Sequence, residues 1–178
     1  MEGIKVLKDG PYEMDAALPV QLASVETDEK GDSLNWSYGK VYESLAGEEV
    51  VHLCRCGHSK GKPFCDGTHN HVGFDGTETA DNIPYDQSAK QYKGEDLDLY
   101  DKEALCAVAR FCDVGQTCWR YTFKSGAPAN KEEAIRQAQH CPSGRLTAVE
   151  KDGHRHEPEL EKRVSPVNDT AENIRGPL

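Results

Sequence analysis

The 178-residue sequence has no apolar run of about 18 residues, and its mean hydropathy is −0.73, so it offers no transmembrane span and reads as a soluble chain without a membrane partner. The first ten residues, MEGIKVLKDG, lack the apolar core and small-residue cleavage site of a secretory leader, and the expected location is a reducing cytoplasm. Positive charge is short as well. Only 21 Lys and Arg face 31 Asp and Glu, a formal charge of −10, which argues against nucleic acid because phosphate binding needs clustered cations. There is no phosphate loop, no dinucleotide fingerprint and no nucleophile–base pair in a motif context, so no enzyme is expected.

What the sequence does have is seven cysteines. An odd number weighs against a fully paired disulfide framework, and the thiols fall into two groups: Cys54, Cys56 and Cys65, then Cys106, Cys112, Cys118 and Cys141. Two groups suggest two metal sites.

The pattern around them predicts an α+β chain. Residues 1–53 read as β-rich: IKVL, a Gly10-Pro11 turn, LPVQLASV, a polar break at TDEKGDS, then LNWSY and EEVVHL running into the first cysteines. Asp28 to Asp32 form a turn without apolar content, which suits a hairpin-like pairing of the flanking strands. Residues 1–75 are taken as a first domain, and 76–94, polar and poor in apolar residues, as a linker. A second domain follows at 95–150, with two helices: DKEALCAVARFC has helical spacing, and Asn130 with Glu133 gives a reciprocal capping pattern for a helix running to about His140. Pro142 stops that helix, and 151–178, charged and proline-containing, reads as an extended or mobile tail.

The segment CRCGHSKGKPFCDGTH places three thiols and an imidazole, Cys54, Cys56, Cys65 and His69, within sixteen residues. Residues two apart in an extended strand point to one side, so Cys54 and Cys56 can reach one centre together, and one helical turn brings Cys65 and His69 onto one face. Asp66 and Gly67 suit a helix start. Two centres fit such donors. A tetrahedral zinc takes three Cys and one His. A [2Fe–2S] cluster needs two ligands on each iron, which the two pairs also supply. His58, His71, Lys60 and Lys62 read as solvated loop residues.

Cys-x-Cys, two residues, Ser59, three residues, Pro63, one residue and then Cys65-Asp66-Gly67-Thr68-His69 resembles, without gaps, the signature of the CDGSH (mitoNEET-like) iron–sulfur family, with threonine for the serine of the name-giving pentapeptide. The resemblance implies a [2Fe–2S] cluster with Cys54 and Cys56 on one iron and Cys65 and His69 on the other, under a small β-rich cap with a cluster-binding loop or helix. One thiolate fewer leaves such a cluster less negative than an all-cysteine one, so it is expected to be more easily reduced, and a histidine ligand is expected to couple it to pH. A homodimer, as the resemblance implies, would pair its single motif.

Cys106, Cys112 and Cys141-Pro142 resemble the cysteine run of small ferredoxins with the middle cysteine replaced by Ala109, a departure shared by [3Fe–4S] and divergent single-cluster forms. A second cluster, [3Fe–4S] or [4Fe–4S], is therefore expected on Cys106, Cys112 and Cys141, with buried apolar thiols as the competing reading. Cys118 fits no ferredoxin interval and stays a candidate fourth ligand only. His140 should point elsewhere, and Trp119 and Phe111 read as core residues. The expected function is electron transfer or redox sensing with a redox partner protein. Two other readings stand beside it: cluster storage and delivery to an apo-acceptor, or a zinc-stabilised interaction module. Arg175-Gly176-Pro177-Leu178 resembles Gly10-Pro11-Tyr12, as though a further unit of the first kind began there, in which case the chain is a shortened form of a longer protein.

Overall fold

The computed structural model describes residues 3–42, 48–169 and 174–175. Beyond Arg175, the run that was expected to open a further unit lies outside the described residues. In chain order the elements are β1 (Ile4–Val6), β2 (Tyr12–Asp15), β3 (Gln21–Thr27), β4 (Ser33–Val41), β5 (Val50–Leu53), a short helix α1 (Tyr85–Ser88), β6 (Lys90–Lys93), β7 (Leu97–Asp101), α2 (Cys118–Phe123), α3 (Pro128–Gln139), β8 (Leu146–Glu150), β9 (Val167–Asp169) and β10 (Ile174–Arg175). The class is α+β, with three small sheets. No helix among the described residues is long and apolar enough to cross a membrane. The chain divides into two units: the first draws its described residues from 1–24, 37–80 and 161–178, the second from 25–36 and 81–160.

In the first unit, β2 lies between β1 and β5, antiparallel to both, with Met14 opposite Val51 and Tyr12 opposite Leu53. Alternation along these strands sends Met14, Val51 and Leu53 into a core shared with Val20, against which Tyr12, Leu18, Tyr42 and Phe64 pack. The other face carries Lys5, Glu13 and His52, with the Glu13 carboxylate 3.6 Å from Lys5 Nζ and 3.2 Å from His52 Nε2. The tail returns to this unit: β9 pairs in parallel with β3 through Ala23–Val167 and Ser24–Asn168, and the Arg163 guanidinium lies 3.8 Å from the Tyr38 ring centroid. The expected turn is present, with Asp28 Oδ1 accepting from the N–H groups of Lys30 and Asp32.

The second unit is an antiparallel sheet in the order β6, β7, β8, with Leu97 and Leu99 of β7 fully buried against Leu146 and Ala148 of β8 and against Cys118, Ala134 and Ala138 of the helices. Helix α3 begins two residues before Asn130, because Pro128 occupies its first turn, where a missing N–H costs nothing. Asn130 instead donates to the Lys124 carbonyl, and Glu133 turns to Arg136 and Gln137. The helix expected over 101–112 does not form. Two 3-10 turns, Glu103–Leu105 and Phe111–Asp113, flank a loop in which Val108 and Arg110 have φ of 57° and 63°. Those left-handed residues break the helical hydrogen-bond ladder and carry the chain around a cavity. The first helix of this unit after β7 is α2, capped by Thr117, whose side chain accepts from the Arg120 N–H.

Candidate metal centres

The first site hangs from the end of β5. Leu53 bridges to Phe64, the Cys54 N–H donates to the Pro63 carbonyl at 2.8 Å, and the Cys65 N–H donates to the His52 carbonyl at 2.8 Å. These bonds bring the two halves of the motif side by side. Cys54 and Cys56 lie with their sulfurs 3.9 Å apart, and Cys65 Sγ lies 3.4 Å from His69 Nδ1. Between Cys54 and Cys56, Arg55 turns the other way: its Nη1 donates to the Leu7 carbonyl at 3.2 Å and its Nη2 to the Gly76 carbonyl at 2.7 Å, with the rings of Tyr12 and Phe74 within 6 Å. A methyl group on Gly76 would meet Arg55 Nη1 and Asp9 Cα at 2.8 Å, so glycine there permits the close approach. The alternation that puts the cysteines on one side thus anchors the strand through the residue between them.

Two polar side chains shape the loop. Ser59, buried, donates to the Phe64 carbonyl at 2.6 Å and accepts from the Gly61 N–H at 3.1 Å. Asp66 accepts from the N–H groups of Thr68 and Lys60 at 3.0 and 2.9 Å, and the Thr68 hydroxyl first, then these N–H groups, hold its carboxyl well below the ordinary carboxylate range. Gly67, at φ 82°, opens the 3-10 turn Thr68–Asn70 that carries His69. His58, His71, Lys60 and Lys62 are exposed.

The donors come two by two. Among the described residues no three His, Cys, Asp or Glu side chains gather as the shell of one metal ion. Two thiols at one end and a thiol with an imidazole at the other fit a group that offers two metal atoms, each needing two protein ligands.

The second site is a cavity of about 30 Å³ whose wall includes Cys106, Cys112 and Cys141. The rest of the lining is apolar apart from Arg110 and Arg145. Burial, and then the neighbouring Cys141, push the Cys112 thiol up to about 11, so a neutral thiol is favoured there until a cation enters. Three of the four cysteines of this group therefore line one cavity. Cys118 does not line the cavity: it is fully buried in the core under α3, its thiol 3.4 Å from the Ala134 carbonyl, and burial raises its pKa still further. His140 faces away, its ring nitrogens 2.7 Å from the Arg136 carbonyl and 3.3 Å from Asn35 Oδ1. Phe111 is buried between the rings of Trp36 and His140, and Trp119 packs on the core. Sequence reasoning passed over Arg145, which lines the cavity, and its partner Asp101, because their pairing spans 44 positions and follows no local pattern.

Residues 9–70 match the family model described as iron-binding zinc finger CDGSH type, and residues 92–151 match the one described as divergent 4Fe-4S mono-cluster. The chain is a fusion of a CDGSH segment and a divergent mono-cluster segment. No curated protein and no solved structure was found to match it. The CDGSH match takes in Cys54, Cys56, Cys65 and His69, and the mono-cluster match takes in Cys106, Cys112, Cys118 and Cys141. The CDGSH–mono-cluster chain is an iron–sulfur protein, with one paired-donor site and one three-thiol cavity.

Proposed function

We propose that this iron–sulfur protein is an electron carrier without a catalytic reaction of its own, holding a [2Fe–2S] cluster through Cys54, Cys56, Cys65 and His69 and a second cluster, [3Fe–4S] or [4Fe–4S], through Cys106, Cys112 and Cys141. The observation that carries it is the pairing of donors in the first site, with sulfurs 3.9 Å apart on one side and a sulfur and a ring nitrogen 3.4 Å apart on the other. A mononuclear zinc would draw all four into one tetrahedron. When bound, such clusters supply a one-electron couple. The chain's residues supply the remainder. Arg55 and Ser59 fix the ligand-bearing backbone, and the Asp66 carboxylate, held charged by the Thr68 hydroxyl and by the N–H groups of Lys60 and Thr68, keeps the turn before His69 closed.

Three thiols around the second cavity, with Cys118 committed to the core, support a cluster bound by three cysteines. The test is anaerobic purification followed by a reductive titration watched by absorbance and EPR, with a small redox protein as electron acceptor. Reversible reduction of both clusters and electron release to the acceptor are expected. Mixing the oxidised holoprotein with an apo-ferredoxin gives the opposing result: transfer of the whole cluster without any reductant would make this a delivery protein instead.

A further inference from the structure

The carboxylate of Asp101, at the end of β7, accepts two hydrogen bonds from one guanidinium, from Arg145 Nε at 2.6 Å and from Arg145 Nη2 at 3.0 Å. Both side chains are largely buried, 5% and 14% exposed. The indole of Trp119 lies 5.4 Å from the guanidinium carbon, against its face. With two donors committed to Asp101 and one face to Trp119, the guanidinium has a single orientation left. In that orientation it forms part of the cavity wall beside the three thiols, and the first groups that hold its charge on are Asp101 and, behind it, Cys106.

A purely structural ion pair has no need of that place. Replacing a buried pair by well-packed apolar residues is commonly neutral or stabilising, and Leu146, opposite Asp101 in the sheet, already belongs to an apolar core with Leu97, Leu99 and Ala148. What the cavity lacks without Arg145 is a fixed positive charge facing the thiols. Arg110 also lines it, but that side chain donates to the carbonyl of Val108 within its own loop. Three thiolates brought together in an enclosure otherwise lined by Ala107, Val108, Ala109, Phe111 and Pro142 repel one another strongly in so apolar a setting.

We propose that Arg145 is a positioning residue for the second cluster, its guanidinium aimed by Asp101 and Trp119 to supply the fixed positive charge that the thiolates of Cys106, Cys112 and Cys141 need. This rests on reading those three cysteines as cluster ligands. A cation held there stabilises the more negative, reduced state, so it raises the reduction potential, and it slows the loss of iron by offsetting repulsion among the ligands.

The experiment uses the full chain purified anaerobically, with the first cluster as internal control, and three variants: Arg145→Met, Arg145→Lys and Asp101→Asn. Each is read by an EPR-monitored redox titration of the second cluster, by the rate of iron loss to EDTA, and by thermal unfolding. R145M is expected to titrate at a lower potential and to lose second-cluster iron faster, by roughly ten- to a hundredfold if the affinity lost on removing a residue that supports a metal ligand is expressed in the off-rate. R145K, which keeps the charge, should retain most of the potential. D101N keeps the guanidinium, releases its aim and removes a negative charge, so it is read by iron loss, where it should fall between wild type and R145M. The first cluster should not move in any variant.

A cooperatively folded R145M with the wild-type potential and iron loss would overturn the proposal, as would an R145K potential lowered as far as that of R145M. Should R145M fail to fold, Arg145→Gln, which retains a donor for Asp101 without the charge, must show the lowered potential, and a wild-type potential in R145Q would overturn the proposal equally. A wild-type chain without any second-cluster iron would instead overturn the ligand reading itself, and that result precedes every variant.

Discussion

Replacing Arg55 with methionine keeps the length of the side chain and removes its fork, and the structure gives the size of the consequence. Two hydrogen bonds are lost, to the carbonyls of Leu7 and Gly76, each contributing about 1 kcal/mol after allowance for a half-buried donor. The guanidinium also leaves the rings of Tyr12 and Phe74, at 5.7 and 5.5 Å, worth about 0.5 kcal/mol apiece. The expected loss is about 3 kcal/mol, and for a unit of this size that lowers the melting temperature by roughly 12–24 °C. Because Arg55 lies between the two proposed ligands, the strand end that aligns Cys54 and Cys56 loosens too, and the first cluster should be released to a chelator faster. Calorimetry of the anaerobically purified chain, with absorbance for cluster loss, measures both. Arg55→Lys should recover part of the effect, since one ammonium can reach a carbonyl but cannot span two. An R55M chain that melts within a degree or two of wild type and keeps its cluster as long would refute the claim that this side chain positions the cysteine pair.

Ser59→Ala removes a donor and an acceptor from a buried site and leaves the Phe64 carbonyl and Gly61 N–H without partners, so a loss of about 2 kcal/mol is expected by chemical denaturation, together with weaker retention of the first cluster. Cys118→Ala should leave the second cluster's iron in place and lower stability by about 1 kcal/mol, whereas Cys112→Ser should lose that iron; iron and sulfide analysis of the two variants compares them directly. In the second unit, hydrogen bonding from Arg136 first, and from Gln137, holds the Glu133 carboxyl below its ordinary pKa. A lowered folded-state pKa contributes stability that is fully present above the ordinary value of Glu and is lost as pH falls through the folded value. Urea melts from pH 6 down to about pH 3 should therefore show a decline that Glu133→Gln reduces.

The first site was legible because its chemistry is local. Alternation along a strand and the short interval between Cys65 and His69 are properties of adjacent residues, and the structure brings each pair together, the second through a 3-10 turn at Thr68–Asn70 opened by Gly67 where a helical turn was expected. The polar turn at 28–32 could be read for the same reason. What local pattern did not show is whatever depends on distant partners. DKEALCAVARFC has helical spacing, yet the loop closes around a cavity instead, with Val108 and Arg110 left-handed and Ser33 donating to the Ala109 carbonyl from 76 positions away. The β9–β3 pairing joins Val167 to Ala23, and a charged, proline-containing tail gives no periodic hint of it. Cys118 resembled a spare ligand because a cysteine's spacing does not say whether it is buried, and only the packing of α2 and α3 places it in the core. Arg145 was invisible for a related reason: its meaning comes from Asp101 on another strand.

The central claim, two iron–sulfur clusters held by donors from separate parts of one chain, is tested most directly by metal and sulfide analysis with EPR on anaerobically purified protein. The account predicts a coloured protein with iron and acid-labile sulfide in near-equal amounts, little zinc, and two reducible signals, of which Cys65→Ser abolishes or alters one and Cys112→Ser the other. A colourless chain carrying zinc and no acid-labile sulfide would contradict it.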